Sequence, residues 1–432
     1  MLNTMFQIML IGKNYQHDII SNLHESLKQN ILMCLPLKDA ARTSVLSRKW
    51  KDSWTKLPHL KLDETLWQGP NVGDYEFALL KFLKSLFHVV LCHKGPITKV
   101  TLSIPGIKIY PEIDRLLSIL SKRNVEELVL RVCNGEYRLP SSFFGCRKLK
   151  HMTLDSCLVH PPCGFTGFRE LVSIEMLEVT ICSERLASLI SCCPLLEHLK
   201  LKGCYTYDAL EIHAPRLRSF ELLGILESVC FKNTPLLEKV VIRADDMGGC
   251  NTHWNSSFDE FFSSLPMLKY LDFDYDYMKR VAGGGAPTRP SFAAAVHLNI
   301  LFLGGISLED LHEMLCVVFV IGISPNLQEI QINLADDIDD FASSEESSIV
   351  KLLGLKEYSY IKLDHLRIVT FLNFSGTRNQ MGLAKFLLMR SPRLKNLLIS
   401  SDANLSSERN FYILKELSRL ERSSPSAKLI YD

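Results

Sequence analysis

One short pattern recurs along the chain and limits what it can fold into: apolar-x-x-apolar-x-apolar, with a small or apolar residue three places further on. It reads Val125-x-x-Leu128-x-Leu130-x-x-Cys133, Leu149-x-x-Met152-x-Leu154-x-x-Cys157, Ile174-x-x-Leu177-x-Val179-x-x-Cys182 and Leu196-x-x-Leu199-x-Leu201-x-x-Cys204. Leu217/Phe220/Leu222/Ile225 and Leu237/Val240/Ile242 follow, and the first five spacings between copies run from 20 to 25 residues. Looser copies stand at Leu268/Leu271/Phe273, Leu298/Leu301/Leu303, Leu327/Ile330/Ile332, Leu366/Val369/Phe371 and Leu394/Leu397/Ile399, with a weaker one upstream at Ile97/Val100/Leu102. Alternate residues of a strand share one side, so apolar-x-apolar marks a short strand with a buried edge. The fourth position turns the chain and is expected to lie buried beside its counterparts, which suits Cys. One copy cannot bury its edge alone, so the copies must stack.

The text between copies agrees. A Pro precedes the first apolar residue by two places at Pro194, Pro215, Pro235, Pro266, Pro325 and Pro392. Helix-compatible runs such as Glu184–Ile190 and Ala384–Met389 stand upstream, so helix, Pro and strand succeed one another. Two segments interrupt the series. Val281–Pro290 (VAGGGAPTRP) reads as a Gly/Pro loop, and Asp336–Ser348, with six acids and no base, as a solvated acidic loop.

Composition narrows the function classes. The 49 basic and 48 acidic residues balance, which gives no electrostatic case for nucleic acid or an anionic membrane. The longest apolar run, Met314–Ile323, falls short of the roughly 20 residues that cross a bilayer. The start, MLNTMFQIMLIGK, lacks the charged leader and cleavage site of a secretory signal. The 13 cysteines include no CxxC and no zinc-finger spacing, so no disulfide scaffold, metal site or cofactor is expected. No P-loop, GxGxxG, GxSxG or HExxH stands in the chain, and the 13 histidines are scattered. The expectation is a soluble intracellular protein, cytoplasmic and/or nuclear, without catalysis of its own.

Unit by unit, the pattern resembles the leucine-rich repeat, which implies an α/β solenoid over 90–350: an open, curved parallel sheet with helices on its convex side. Ahead of it, Asp18–Leu62 reads as a small three-helix module, and residues 1–16 as a disordered extension. Leu27, Ile31, Leu32 and Leu35 form a helical stripe, Pro36 ends that helix, and a second begins around Leu37–Asp39 with Ala41, Val45 and Leu46 on one face. Trp50 and Trp54 stand one turn apart on a third segment, with Leu57 continuing the stripe. So few residues cannot bury a core independently, which leaves apolar surface for a partner.

This segment resembles an F-box, in the version that plant F-box proteins carry together with leucine-rich repeats and a C-terminal FBD region. The residues that match are Asp18, Ile20, Ser21, Leu23, Ile31, Leu32, Leu35, Pro36, Asp39, Ala40, Thr43, Ser44, Leu46, Ser47, Trp50 and Trp54. One position departs: the Pro that follows Leu23 in the family is His24 here, and losing a pre-organised first helical residue is expected to cost ~0.5–1 kcal/mol. Leu363–Ile399 is similar to the FBD pattern, a strand, then a helix with Leu383, Phe386 and Leu387 on one side, then a second strand; the acid that often opens that helix is missing. Residues 351–432 are read as an FBD-like continuation of the solenoid.

The resemblance implies a substrate receptor of an SCF (cullin–RING) ubiquitin ligase. The F-box would dock on the S-phase-kinase-associated adaptor, and through it on cullin, while the repeats hold a protein target. Adaptor contact is expected from Leu23, Ile31, Leu32, Leu35, Pro36, Val45, Leu46, Trp50 and Trp54, with Leu27 and Ala41 as core. Target contact is expected on the concave strand face. There His198, Lys200, Lys202, Lys239 and Arg243 form a basic stretch, followed by Tyr270, Asp272 and Asp274 and then Glu329, Gln331 and Asn333. Two alternatives stay open at this point: a repeat-based scaffold or decoy whose F-box joins no ligase, and a hydrolase or transferase on an unrelated α/β fold.

Overall fold

The computed structural model describes residues 19–63, 66, 75–104, 111–132, 137–204, 209–224, 226, 228–244, 258–275, 277–278, 295–335 and 361–432. The extension 1–16, Asp18, Cys133, Ile225, the Gly/Pro stretch and the acidic run lie outside these residues. The chain divides into two compact units, Met1–Gly135 and Glu136–Asp432.

The first unit opens with helices α1 (Glu25–Met33) and α2 (Leu37–Arg42), followed by 3₁₀ turns at Thr43–Val45 and Ser53–Lys56. The third helical segment is thus a single 3₁₀ turn. Strands β1 (His59–Leu62), β2 (Lys99–Ile104) and β3 (Glu127–Val132) pair in parallel in that order, with α3 (Tyr75–Cys92) and α4 (Pro111–Ser121) between them. Leu57, Leu60 and Leu62, all at most 2% exposed, repeat the apolar-x-x-apolar-x-apolar spacing, and Leu60 and Leu62 align with Val100 and Leu102. The end of segment 17–62 is therefore itself the first copy of the repeat, which the sequence reading placed no earlier than Ile97. Residues 93–95 close over this junction. His93 lies 2.8 Å by Nε2 from the Leu57 carbonyl, and Lys94 and Gly95 donate their N–H groups to the Thr55 carbonyl. A Cβ at Gly95 would stand 2.8 Å from Lys56 Cα, so no side chain fits there.

The second unit stacks eleven parallel strands in chain order: β5 (His151–Asp155), β7 (Ser173–Leu177), β8 (His198–Lys202), β10 (Ser219–Leu223), β12 (Lys239–Arg243), β13 (Tyr270–Asp274), β14 (Ile300–Ile306), β15 (Glu329–Leu334), β16 (Ile368–Phe374), β17 (Asn396–Ser401) and β18 (Lys428–Tyr431). The turn into each strand explains the Pro spacing. Leu196, Leu217, Leu237, Leu268, Leu327 and Leu394 each donate a backbone N–H to the carbonyl three residues back, with the Pro at the second position of that β-turn. Pro fixes the φ this position requires. Where the strands end, Ser156, Glu178 and Gly203 adopt positive φ, and their N–H groups donate to Leu177, Lys202 and Leu223 of the next strand.

The length of each unit selects its return path. The 25-residue step from Leu171 to Leu196 leaves room for helix α5 (Ser183–Ser191). The steps of 21 and 20 residues that follow return instead through short strands β9 (Leu210–His213) and β11 (Val229–Lys232), which pair in parallel. An extended residue covers about twice the distance of a helical one, so fewer suffice. Another such pair is β4 (Tyr137–Arg138) with β6 (Cys157–Leu158). Later units return through α6 (Phe258–Ser263), α7 (Leu311–Gly322), α8 (Arg378–Arg390) and α9 (Ser407–Arg419). The apolar run Met314–Ile323 lies in α7 and is buried along most of its length, and no described helix is long and apolar enough to cross a membrane. Leu383, Phe386 and Leu387 of α8 are buried, and that helix starts at Thr377 with a Thr377/Gln380 capping box in place of the missing acid.

One copy of the repeat is out of register with its sequence reading. Strand β7 aligns Ile174 and Met176 with Leu199 and Leu201, so the copy reads Leu171-x-x-Ile174-x-Met176-x-x-Val179, three residues earlier than expected. Leu171 makes the same entry turn as the other first residues, to the Phe168 carbonyl, and is fully buried. Val179 fills the fourth position, and Cys182 is left exposed as the N-cap of α5. Cys157 and Cys204 do occupy the buried slot.

Candidate protein-interaction surfaces

Helix α1 carries two apolar stripes one residue apart, and they point opposite ways. Lys28 and Leu32, four apart, face inward at 6% and 0% exposure; Leu27 and Ile31, also four apart, face outward at 49% and 45%. The Lys28 ammonium lies 5.9 Å from the centre of the Trp50 ring and donates to the Lys49 carbonyl at 3.3 Å. Its apolar stem thus serves as core while its charge stays hydrogen-bonded. Leu37, Ala40, Trp50 and Leu57 complete the interior. Of the residues assigned to adaptor contact, Leu32 and Trp50 are enclosed here and present no surface. Leu23, Leu35 and Trp54 are half-buried, and Ile31, Pro36, Val45 and Leu46 are exposed. Leu27, expected in the core, is on the surface because the core takes Lys28 instead; Ala41 is half-buried.

The surface so formed is unusually apolar. Of the seventeen large hydrophobic side chains exposed among the described residues, seven lie between positions 19 and 46: Ile19, Ile20, Leu27, Ile31, Met33, Val45 and Leu46. Val45 reaches 86% exposure and Leu46 58%, because the tight 3₁₀ turn leaves them no helix to pack on. Scattered exposed hydrophobics are ordinary, whereas clustering at this density marks a partner surface. His24 does not occupy the first helical position; it is the N-cap of α1, and its Nδ1 accepts from the Ser26 N–H at 3.3 Å. The residue that departs from the family pattern therefore satisfies one of the helix's free donors.

On the open face of the second unit's sheet, the expected basic stretch is cancelled by acids on neighbouring strands. Lys200 pairs with Glu175 at 2.9 Å and Lys239 with Glu221 at 2.5 Å. Arg243 holds Asp272 with Nε and a terminal nitrogen, while Asp274 accepts from the Ala244 N–H. Lys239 also stands 5.4 Å over the Tyr270 ring. The hydrogen bond that Lys200 donates to Glu175 raises the Lys200 pKa, and those that Arg243 donates to Asp272 raise Arg243, while burial, reinforced by Asp272, pushes the Tyr270 hydroxyl up to about 12. His198 and Lys202, exposed at the two ends of β8, make no such pair among the described residues. Beyond β13 the same face gains apolar side chains, with Ile300 and Phe302 on β14, Ile368 and Leu372 on β16 and Leu398 on β17 half-buried at outward positions, while β15 presents Glu329, Gln331 and Asn333 between them. The sequence signal for these was the continuous run Ile300–Leu303, apolar at both alternations where β8 alternates with charge.

Among the described residues no three His, Cys, Asp or Glu side chains converge as a metal-binding set. Cys146, Cys193 and Cys204 are pushed up to about 11 by burial, and Cys157 and Cys316 to about 12, which keeps these thiols protonated and poor nucleophiles.

Comparison with known proteins matches three parts of the chain. A family model described as the F-box domain matches residues 20–62. One described as the LRR repeats of FBD-associated F-box protein At5g56370 matches 113–279, and one described as FBD matches 363–399. The F-box/FBD/LRR-repeat protein At1g13570 of Arabidopsis thaliana is 33% identical over 418 residues, covering 96% of this chain and 98% of that one. A second Arabidopsis thaliana protein, F-box/FBD/LRR-repeat protein At5g56420, is 24% identical with 96% and 99% coverage. Among solved structures, an internalin from Listeria monocytogenes aligns at 11% identity over 77% of this chain and 80% of that chain, with a TM-score of 0.29.

Proposed function

We propose, from the premise that the chain belongs to the F-box/FBD/LRR-repeat family, that it is the substrate-recognition subunit of an SCF-type ubiquitin ligase. In this reading the 20–62 module docks on the S-phase-kinase-associated adaptor, which connects it to cullin, and the repeats bind a protein target in the cytoplasm and/or nucleus. F-box/LRR proteins are typically non-catalytic subunits, and the contribution asked of this one is proximity: a tethered target offers its lysines to the conjugating enzyme at high effective concentration. The observation that supports the reading is the concentration of exposed hydrophobic side chains on α1 and the Thr43–Leu46 turn. A module that spends Lys28 on its core and turns Leu27 and Ile31 outward is built to be completed by another protein.

Co-purification of the full chain with a plant S-phase-kinase-associated adaptor tests this. Wild type is expected to retain the adaptor. Ile31→Asp and Val45→Asp, both at exposed positions, are expected to weaken it by tenfold or more while shifting stability by no more than ~0.5 kcal/mol. Failure of wild type to retain any adaptor would leave a repeat scaffold in place of a ligase subunit.

A further inference from the structure

Strands β14 to β17 carry a single carboxylate, Glu329, at an outward position between two isoleucines. Glu329 lies in register between Ile300 of β14 and Ile368 of β16; one outward position further along, Phe302 and Leu398 flank Gln331 and Thr370, and beyond them Leu372 aligns with Asn333. Glu329 is half-buried, and among the described residues its carboxylate has neither an ion pair nor a hydrogen bond. The charged strands do not offer the same opportunity, since Lys200, Lys239 and Arg243 are already neutralised by Glu175, Glu221 and Asp272. A partner that replaced those pairs would have to strip them first, at a cost that breaking even with new pairs does not recover. Over β14 to β17 the described residues make no ion pair on this face, and the side-chain bond there is the neutral one that Asn373 Nδ2 donates to Asn333 Oδ1 at 3.0 Å. Apolar side chains gain by leaving water, and the lone carboxylate needs one cation as they are covered.

Resting on the reading of this face as the target site, we infer that the target is held over β13–β17 by a segment carrying an Arg or Lys between aliphatic side chains, the cation meeting Glu329. Five strands span four inter-strand gaps, ~19 Å, which corresponds to about 13 residues of helix or six of extended chain. The segment is accordingly short, and the basic residue stands near its middle because Glu329 does. Arg is favoured over Lys where the carboxylate accepts two parallel hydrogen bonds.

An array of synthetic 13-residue peptides with a central Arg in a Leu/Ile context, probed with the full-length chain, tests the inference. Matched peptides carry a central Glu, or Ser in place of the aliphatic residues. Selective binding of the Arg-centred aliphatic set is expected, with about tenfold loss for Phe302→Asp or Leu398→Asp. Glu329→Arg is expected to shift preference to the Glu-centred set, a gain that misfolding cannot imitate. Equal binding of all sets by wild type, or an unchanged preference in the Glu329→Arg chain, overturns the inference. Adaptor retention on the same preparations separates the two readings. Adaptor bound without peptide selectivity sinks this inference alone; selectivity without adaptor sinks the ligase reading and leaves this one.

Discussion

Arg243 holds Asp272 across adjacent strands by two parallel hydrogen bonds, 2.9 Å from Nε to Oδ1 and 2.6 Å from a terminal nitrogen to Oδ2. The carboxylate is 6% exposed and the guanidinium 53%. Removing the cation strands a buried anion, whereas removing both leaves only a polar gap. Arg243→Ala is therefore expected to lower stability by about 2 kcal/mol, discounted for the exposed guanidinium, and Asp272→Ala in the Arg243→Ala background to restore part of it. Urea unfolding of the two single variants and the double variant reads this directly; additive losses would deny the coupling.

Two glycines separate backbone strain from steric exclusion. Gly203 has φ +58 with its nearest neighbour 3.4 Å from an added Cβ, so Gly203→Ala meets only the left-handed penalty, about 1 kcal/mol. Gly167, at φ +89, would place a Cβ 1.8 Å from the Cys192 carbonyl oxygen. Gly167→Ala is expected to cost at least about 3 kcal/mol or to prevent folding. Thermal melting should rank them in that order.

The buried thiols predict both reactivity and alkaline behaviour. Native-state alkylation near pH 8.5, read by mass spectrometry, is expected to label exposed Cys34, Cys163 and Cys182 and to spare Cys146, Cys157, Cys193, Cys204 and Cys316 until the chain unfolds. Burial raises the last five from 9.0 to about 11 or 12, so above pH 9 the unfolded chain has lost protons that the folded chain keeps. Stability is fully present below pH 9 and falls as pH rises through the folded-state values. The slope is at most about 1.4 kcal/mol per pH unit for each thiol. A pH-independent urea midpoint between 8 and 10.5 would contradict it.

His24 caps α1 with its ring, and its backbone φ of −58° is one that Pro also adopts. His24→Ala is expected to lose ~0.5–1 kcal/mol with the cap. His24→Pro exchanges the ring hydrogen bond for a stiffer entry and is expected to stay within about 0.5 kcal/mol of wild type. Adaptor affinity of the two variants, measured by calorimetry beside their stability, shows whether residue 24 acts through helix order alone.

Much of the architecture was legible because Leu196, Leu199 and Leu201 and their counterparts repeat a spacing that permits few structures. The error at Ile174 has a definite cause. Leu177 and Val179 are apolar as well, so the template fits at two offsets, and only pairing with Leu199 and Leu201 chooses between them. The slip also hid Glu175 as the partner of Lys200, and with it the cancellation of the basic stretch. In α1, periodicity marked a stripe but could not say that Lys28 would take an inner place ahead of Leu27, since that depends on the Trp50 ring lying where a lysine stem can cover it. Strand β1 went unread because Leu57, Leu60 and Leu62 follow two tryptophans and look like the tail of the helical module. The apolar open positions of β14, β16 and β17 were present in the text, but alternation, the usual guide to sidedness and clear in β15, is blurred where both sides carry apolar residues.

The four residues of β1 belong to two parts of the molecule at once, and that restricts how the family's pieces can be exchanged. A chimera cut at residue 58, between the last helical turn and the strand, would leave β1 behind on Val100 and Leu102 of the donor and part the transferred Thr55 and Leu57 carbonyls from residues 93–95 that bind them. A working graft has to carry His59–Leu62 together with the sequence that seals it at His93. Head and frame are in this sense inherited as one part, with the seam displaced into the array.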